Sequence, residues 1–239
     1  MRFHLAILAQ THPPTAWQYI WGRRDKVVSQ LLQHIELTAI AVTVGLAISL
    51  PLAIWAYRRA RVYAPITAVT GLLYTIPSLA LFAVLVPITK LSITTAEIGL
   101  VSYTLLILIR NIVVGLRGVP QDVKEAARGM GYTPRQLLWR VELPLAVPAI
   151  VAGIRVATVS TIGLVTVAAL IGKGGLGYFI LEGLRILYPT EMLLGAVLSV
   201  VLAIVADALL LLSQRALTPW ARQRAAGLTV GREPAPVGG

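Results

Sequence analysis

Two groups of residues have types and spacing that could do work, and the work is mechanical rather than covalent. The first is Glu125-Ala126-Ala127, then Gly131, with Leu143 and Pro144 further on. Pro120 suits the first turn of a helix, and Asp122 favours that helix's N-terminal dipole. Residues 121–130 then read as a short helix. Gly129 and Gly131 bracket its end, where glycine tolerates a left-handed backbone. Thr133, Pro134 and Gln136 form a capping-box pattern that starts a second helix. The spacing predicts two short helices meeting at a tight glycine corner, with Ala126 and Ala127 exposed beside Glu125. Small side chains let another surface approach closely, and a fixed corner passes on a push. The residues alone leave two readings open: a docking device, or a plain amphipathic connector.

The second group is Tyr74, Thr75, Pro77 and Ser78. Pro77 removes one helical hydrogen bond and frees the carbonyl of Leu73. Thr75 and Ser78 are hydroxyls that could re-satisfy that backbone. Such a break is either a hinge or gate beside a pathway, or a static kink. Farther along, Thr158, Thr161 and Thr166 lie near one helical face, and they either line a wet path or bond across a helix interface. Tyr74, Tyr103 and Tyr178 could offer aromatic faces to a cation, or anchor at the membrane interface.

The sequence points to no covalent chemistry. His4, His12 and His34 are scattered and form no catalytic or metal-binding constellation. There is no cysteine, so no disulfide or cysteine-ligated metal is available. Gly172-Lys173-Gly174 is not a phosphate loop, because no GxxxxGK[ST] run occurs. No catalytic residue, metal site or bound cofactor is expected.

The elements that must position these groups are apolar. Hydrophobic residues make up 57% of the 239, and charged residues only 13%, about half the share of a soluble domain. The net charge of +11 falls between apolar runs rather than on one stripe. It therefore fits basic loops at a lipid surface and not nucleic-acid binding. Apolar stretches at 34–57, 65–88, 93–109, 144–171 and 192–213 each reach the length of a span, about 17–25 residues. Backbone in lipid must pair internally, so each is expected to be a helix. The expected fold is thus an all-α integral membrane protein with about five transmembrane helices. Segment 144–171 exceeds a straight span, so its turns through Arg155 are expected at the interface. Segment 174–190 is expected to be a short surface or re-entrant helix on the outer side.

Lysine and arginine give the orientation. Loop 110–143 holds Arg110, Arg117, Lys124, Arg128, Arg135 and Arg140, and the tail holds Arg215, Arg222, Arg224 and Arg232. Opposite them lie Lys90, Lys173 and Arg185. The positive-inside rule places loop 110–143 and the C-terminus in the cytoplasm. Arg155 and Asp207 are ionisable groups near membrane depth that could pair or snorkel. Glu36 and Glu97 read as solvated groups at outer ends. The expected organisation is an extracytoplasmic or interfacial segment 1–30, a transmembrane domain 31–215, and a cytoplasmic tail 216–239 that is partly disordered.

The stretch Glu125-Ala126-Ala127, three residues, Gly131, nine residues, then Val141-Glu142-Leu143-Pro144 resembles the EAA loop of ABC importer permeases. Only Val141 departs from the family's isoleucine. The resemblance implies a type I importer fold like that of methionine permeases. It also implies that this loop is a coupling helix seated on a cytoplasmic ATPase, with Glu125, Ala126, Ala127, Gly131, Leu143 and Pro144 at the family's contact and corner positions. Gln33-His34 through Arg58, Tyr74 to Leu81, Gly153 to Thr158 and Ile171 to Gly177 are similar to permeases for osmoprotectants such as glycine betaine, choline or carnitine. Methionine-type permeases share the loop and the glycine turn. The partners so implied are ABC ATPase subunits, a second permease subunit (the same or different), an extracytoplasmic substrate-binding protein and membrane lipid. A passive channel would not need a rigid cytoplasmic corner. A membrane enzyme would need convergent titratable groups that the spans do not supply.

Overall fold

The structure is a computed structural model that describes residues 21–218. The expectations for residues 1–20 and for the tail beyond 218 lie outside the described residues. All regular elements among the described residues are helical. They are α1 (Arg24–Arg58), α2 (Ala60–Thr75), α3 (Ser78–Thr89), α4 (Ile93–Arg117), α5 (Gln121–Gly129), α6 (Pro134–Leu137), α7 (Leu143–Val167), α8 (Gly177–Arg185) and α9 (Pro189–Leu217). A π turn over Leu138–Glu142 joins α6 to α7, and a 3₁₀ turn over Ala168–Ile171 ends α7.

Among the described residues, four helical runs are long and apolar enough to cross a membrane, and the bent pair α2–α3 would make a fifth. In the apolar span of α4, 56% of residues are buried inside the chain, against 17% in α9. So α4 is the central post and α9 lies on the periphery. The core joins α1, α4 and α7 through Ala53, Ala56, Leu108, Ile112, Leu116 and Ala157. Alanines on α1 and α7 face the larger side chains of α4, which lets the three helices pack closely.

The first helix runs unbroken from Arg24, so residues 24–30 are its opening turns. One expectation changes: the stretch 65–88 is not one continuous helix. Its two helices turn by 92° at Ile76-Pro77. Proline forces its predecessor away from helical geometry, and Ile76 is extended at φ −63°, ψ 126°. At 16 and 12 residues, neither half spans about 30 Å of hydrocarbon alone. The long segment 144–171 extends further back than the sequence suggested, with helical backbone continuous from Pro134 to Ile171, 38 residues. At about 1.5 Å per residue, the run has length to reach beyond the bilayer.

The glycine turn after α7 fixes the far end of the bundle. Gly175 has φ +50°, and a Cβ there would lie 2.6 Å from the His34 Cβ and 2.8 Å from its backbone. No other residue fits that approach. His34 is fully buried. Its Nε2 lies 3.1 Å from the Ile162 carbonyl, and its Nδ1 accepts from the Leu176 amide at 3.2 Å. One imidazole thus bolts α1 to α7 and to the turn. As expected, a short helix (α8) follows the turn, before α9.

Candidate functional site: the elbow and the helix break

Helix α5 ends at the expected corner. Gly131 takes φ +84°, while no heavy atom outside its chain neighbours lies within 4 Å of a Cβ built there. The position therefore demands glycine for its left-handed backbone and not for space. The Tyr132 amide reaches back to the Ala127 carbonyl at 3.1 Å, and the Gly131 amide to Arg128 at 2.9 Å. Both halves of the capping box form: Thr133 Oγ1 accepts from the Gln136 amide, and Gln136 Oε1 accepts from the Thr133 amide at 2.8 Å. These bonds satisfy the loose ends of both helices and stiffen the corner.

Glu125 and Ala126 are exposed on the outer face of α5. Ala127 is not. At 2% exposure it faces inward, because it lies three residues after Lys124 on the same helical face. Leu143 is half-buried and Pro144 exposed, at the first turn of α7. Pro144 cannot donate to the Arg140 carbonyl and its ring crowds it. The backbone widens there into the π turn, where the Leu143 amide bonds to Leu138.

Beneath the elbow lies a buried polar cluster that motif reading alone missed. Lys124 and Glu142 are 7% and 5% exposed, with Nζ 3.9 Å from Oε1. Tyr57 at the end of α1 donates its hydroxyl to the same Glu142 oxygen at 2.7 Å and accepts from Lys124 Nζ at 3.1 Å. Lys124 Nζ also reaches the Leu116 carbonyl of α4 at 3.5 Å and lies 5.5 Å from the Tyr57 ring centre. Four elements converge on this one cluster: α1, α4, α5 and the π turn. Arg58 Nη2 adds a bond to the Pro134 carbonyl at 3.2 Å. Buried charges persist only when paired and bonded, so the elbow is tied to the bundle at a fixed angle. The signal was present in sequence as a lysine on α5's inward face and a glutamate inside the Leu-Pro segment.

The second group gathers at the break between α2 and α3. Tyr74, Thr75, Ile76, Pro77 and Ser78 line an open cavity of about 460 Å³, with Tyr103 of α4 and Ser160, Gly163 and Leu164 of α7. The Tyr103 hydroxyl donates to the Ile76 carbonyl. The Tyr74 and Tyr103 rings meet edge to face at 6.0 Å between centres. Thr75 turns its hydroxyl back to the Leu72 carbonyl at 2.8 Å.

Thr158 and Thr161 do not join this cavity. Thr161 is 1% exposed. Thr158 bonds to the Ile154 carbonyl at 2.8 Å and lines a separate apolar groove of about 430 Å³ between α1, α7 and α9. Ser160 and Gly163 take the place expected of them, since the cavity-facing stripe of α7 is offset from the threonine stripe. Tyr178 stands apart too, beneath Lys26 Nζ at 4.5 Å. Arg155 and Asp207 do meet, through a bidentate pair at 2.8 Å and 2.8 Å that ties α7 to α9. Glu36 is exposed. The Glu97 carboxylate, expected in solvent, is shut away from it and lacks a hydrogen-bond partner among the described residues.

Comparison with known proteins gives the same picture. Residues 28–223 match the family model described as "Binding-protein-dependent transport system inner membrane component". The choline transport system permease protein OpuBB of Bacillus subtilis is 36% identical over 87% of this chain and 95% of its own length. The osmoprotectant import permease protein OsmW of Salmonella typhimurium is 37% identical over 84% of this chain and 96% of its own. Among solved structures, the MetNI methionine ABC transporter in an inward-facing form shares 24% identity and superposes with a TM-score of 0.75, over 82% of this chain and 98% of the other. The capped elbow, the spans around α4 and these relatives agree: the chain belongs to the family of inner-membrane components of binding-protein-dependent transport systems, the permease subunits of ABC importers.

Proposed function

We propose that this permease imports quaternary-ammonium osmoprotectants, with glycine betaine, choline and carnitine as the first candidates. The support is the activity of relatives 35–38% identical over most of the chain, which are permeases for choline, carnitine and glycine betaine. The likeness to a methionine transporter stands at 24% identity and speaks for the fold alone.

In this reading residues 121–143 and the C-terminus face the cytoplasm, as the basic residues there favour. The exposed side of α5, with Glu125 and Ala126, seats on a separate ATPase subunit that hydrolyses ATP. Closure of two such subunits moves the elbows. The Lys124–Glu142–Tyr57 cluster passes that movement to α1, α4 and α7, because it joins all of them to α5. Leu143 and Pro144 carry it into the long helix. A second permease subunit completes the path, and a substrate-binding protein delivers solute from outside. The helix break at Pro77, lined by Tyr74, Thr75 and Ser78, acts as gate. Thr158 and Thr161 serve helix packing.

The observation that carries the reading is the buried cluster beneath a capped, glycine-cornered elbow. A passive channel has no use for so stiff a cytoplasmic lever. Uptake of labelled glycine betaine, choline, carnitine and methionine by the complete reconstituted complex tests it. ATP-dependent uptake of at least one quaternary ammonium is expected. Uptake of methionine alone, or uptake without any ATPase subunit, would refute it.

A further inference from the structure

We infer that the cavity at the helix break is a weak binding site for the quaternary ammonium head of the solute, with the Tyr74 ring as its principal contact. The inference rests on the osmoprotectant reading above and adds the place where the permease itself touches its cargo.

Three observations converge on it. Tyr74 is 42% exposed and lines the cavity, while Tyr103, 6% exposed, braces it edge to face at 6.0 Å. A tyrosine ring exposed to this extent can attract a cation through its ring quadrupole. The cavity also lies at the carbonyl end of α2, which terminates at Thr75. The C-terminal end of a helix carries partial negative charge, and Pro77 has no amide hydrogen to give back to the carbonyl of Leu73. Broken helices place such carbonyls beside cations in transporters. Finally, among the described residues none that lines the cavity carries a formal charge. A lysine or arginine would repel the ammonium, and a carboxylate would hold it too long for transit, since a conducting site must release what it binds.

The chemistry of the lining also limits selectivity. Thr75, Ser78 and Ser160 present hydroxyls that can bond a carboxylate or an alcohol alike. The site reads the ammonium head that betaine, carnitine and choline share, and leaves discrimination among them to the protein that captures the solute. At about 460 Å³ the cavity falls within the usual range for small-molecule sites.

The test is equilibrium binding by saturation-transfer NMR on the permease–ATPase complex in lipid nanodiscs, with no binding protein present. The probes are choline and its neutral carbon isostere, 3,3-dimethylbutan-1-ol. Choline is expected to bind in the millimolar range and the isostere several-fold more weakly. Tyr74→Phe should hold choline within about twofold, because the ring remains. Tyr74→Leu should weaken choline roughly 2- to 30-fold, the range of a cation–π contact, and leave the isostere unchanged. Equal binding of choline and the isostere by the unaltered complex would overturn the inference, and that arm does not depend on any variant folding. So would equal choline affinity in Tyr74→Leu. Either result alongside normal choline uptake by the full complex would sink the site and leave the transport reading standing.

Discussion

The elbow and the helix break are both sharp bends, and the chain holds them by different means. At the elbow, a left-handed Gly131, a complete capping box and a buried lysine–glutamate–tyrosine cluster fix the angle between α5 and the long helix. At the helix break, a proline turns the chain by 92°, and at the bend itself Tyr103 of α4 gives one hydroxyl bond to the Ile76 carbonyl and an edge-to-face ring contact with Tyr74, beside an open cavity. The elbow is built to keep its shape under load, whereas the break has room to change. The proposed coupling needs that contrast: a lever that does not yield where it is pushed, and a gate that yields where solute passes.

The contrast can be broken or sharpened by substitution. The largest effect is expected at the cluster. Lys124→Met leaves Glu142 buried without its cation, and removing one partner of a buried pair costs about 3–5 kcal/mol. The melting temperature of the purified complex should fall sharply, and ATP-driven uptake should fall with it. Pairing the change with Glu142→Leu removes the stranded charge and should restore most of the stability. If the single variant melts like the parent, the elbow is not held by this cluster.

Next comes the corner itself. Gly131→Val forces a branched side chain into a left-handed backbone at a cost of about 1–2 kcal/mol. Nothing nearby obstructs the side chain, so the chain should still fold. Uptake should fall more than ATP hydrolysis does, a ratio read from the two rates in one set of proteoliposomes. An unchanged ratio would mean that the corner does not transmit.

Thr133→Ala removes the cap of the second helix and should cost about 1 kcal/mol, again read as a melting shift. The smallest expected effect on stability lies at the break. Tyr103→Phe deletes a single hydrogen bond, with a net contribution of about 0.5–1.5 kcal/mol. It should alter the uptake rate while the uptake-to-hydrolysis ratio stays near its parent value. If Tyr103→Phe destabilises as much as Lys124→Met, the two bends are equally rigid and the contrast fails.

The elbow was the more legible of the two regions in the sequence. Its signals are local: a glycine, a capping box and a proline within 14 residues of one another. Backbone rules act at that range, and they placed the corner and the two helices. The burial of Ala127 and Lys124 was harder to see. A buried lysine is rare unless paired, and its partners Tyr57 and Glu142 are 67 and 18 positions away in the chain. The break was half legible. Pro77 marked the site, but proline alone does not distinguish a kink from a right-angle turn, which depends on what packs on either side. Likewise Ser160 and Gly163 line the cavity at the break while Thr158 lines another groove, because a helical wheel shows which residues share a face and not which neighbour that face meets. His34 looked isolated for the same reason, since its partners Ile162 and Leu176 come from distant segments.

The central claim is that a stiff elbow reaches into the cytoplasm and seats on a separate motor. The chain has no cysteine, so Ala126→Cys, exposed on the outer face of α5, gives a single label site. A membrane-impermeant maleimide should modify it in inside-out vesicles stripped of the ATPase, fail to modify it in right-side-out vesicles, and be blocked when the ATPase subunit is added back. Modification from the outside, or labelling that the ATPase leaves unaffected, would contradict the account.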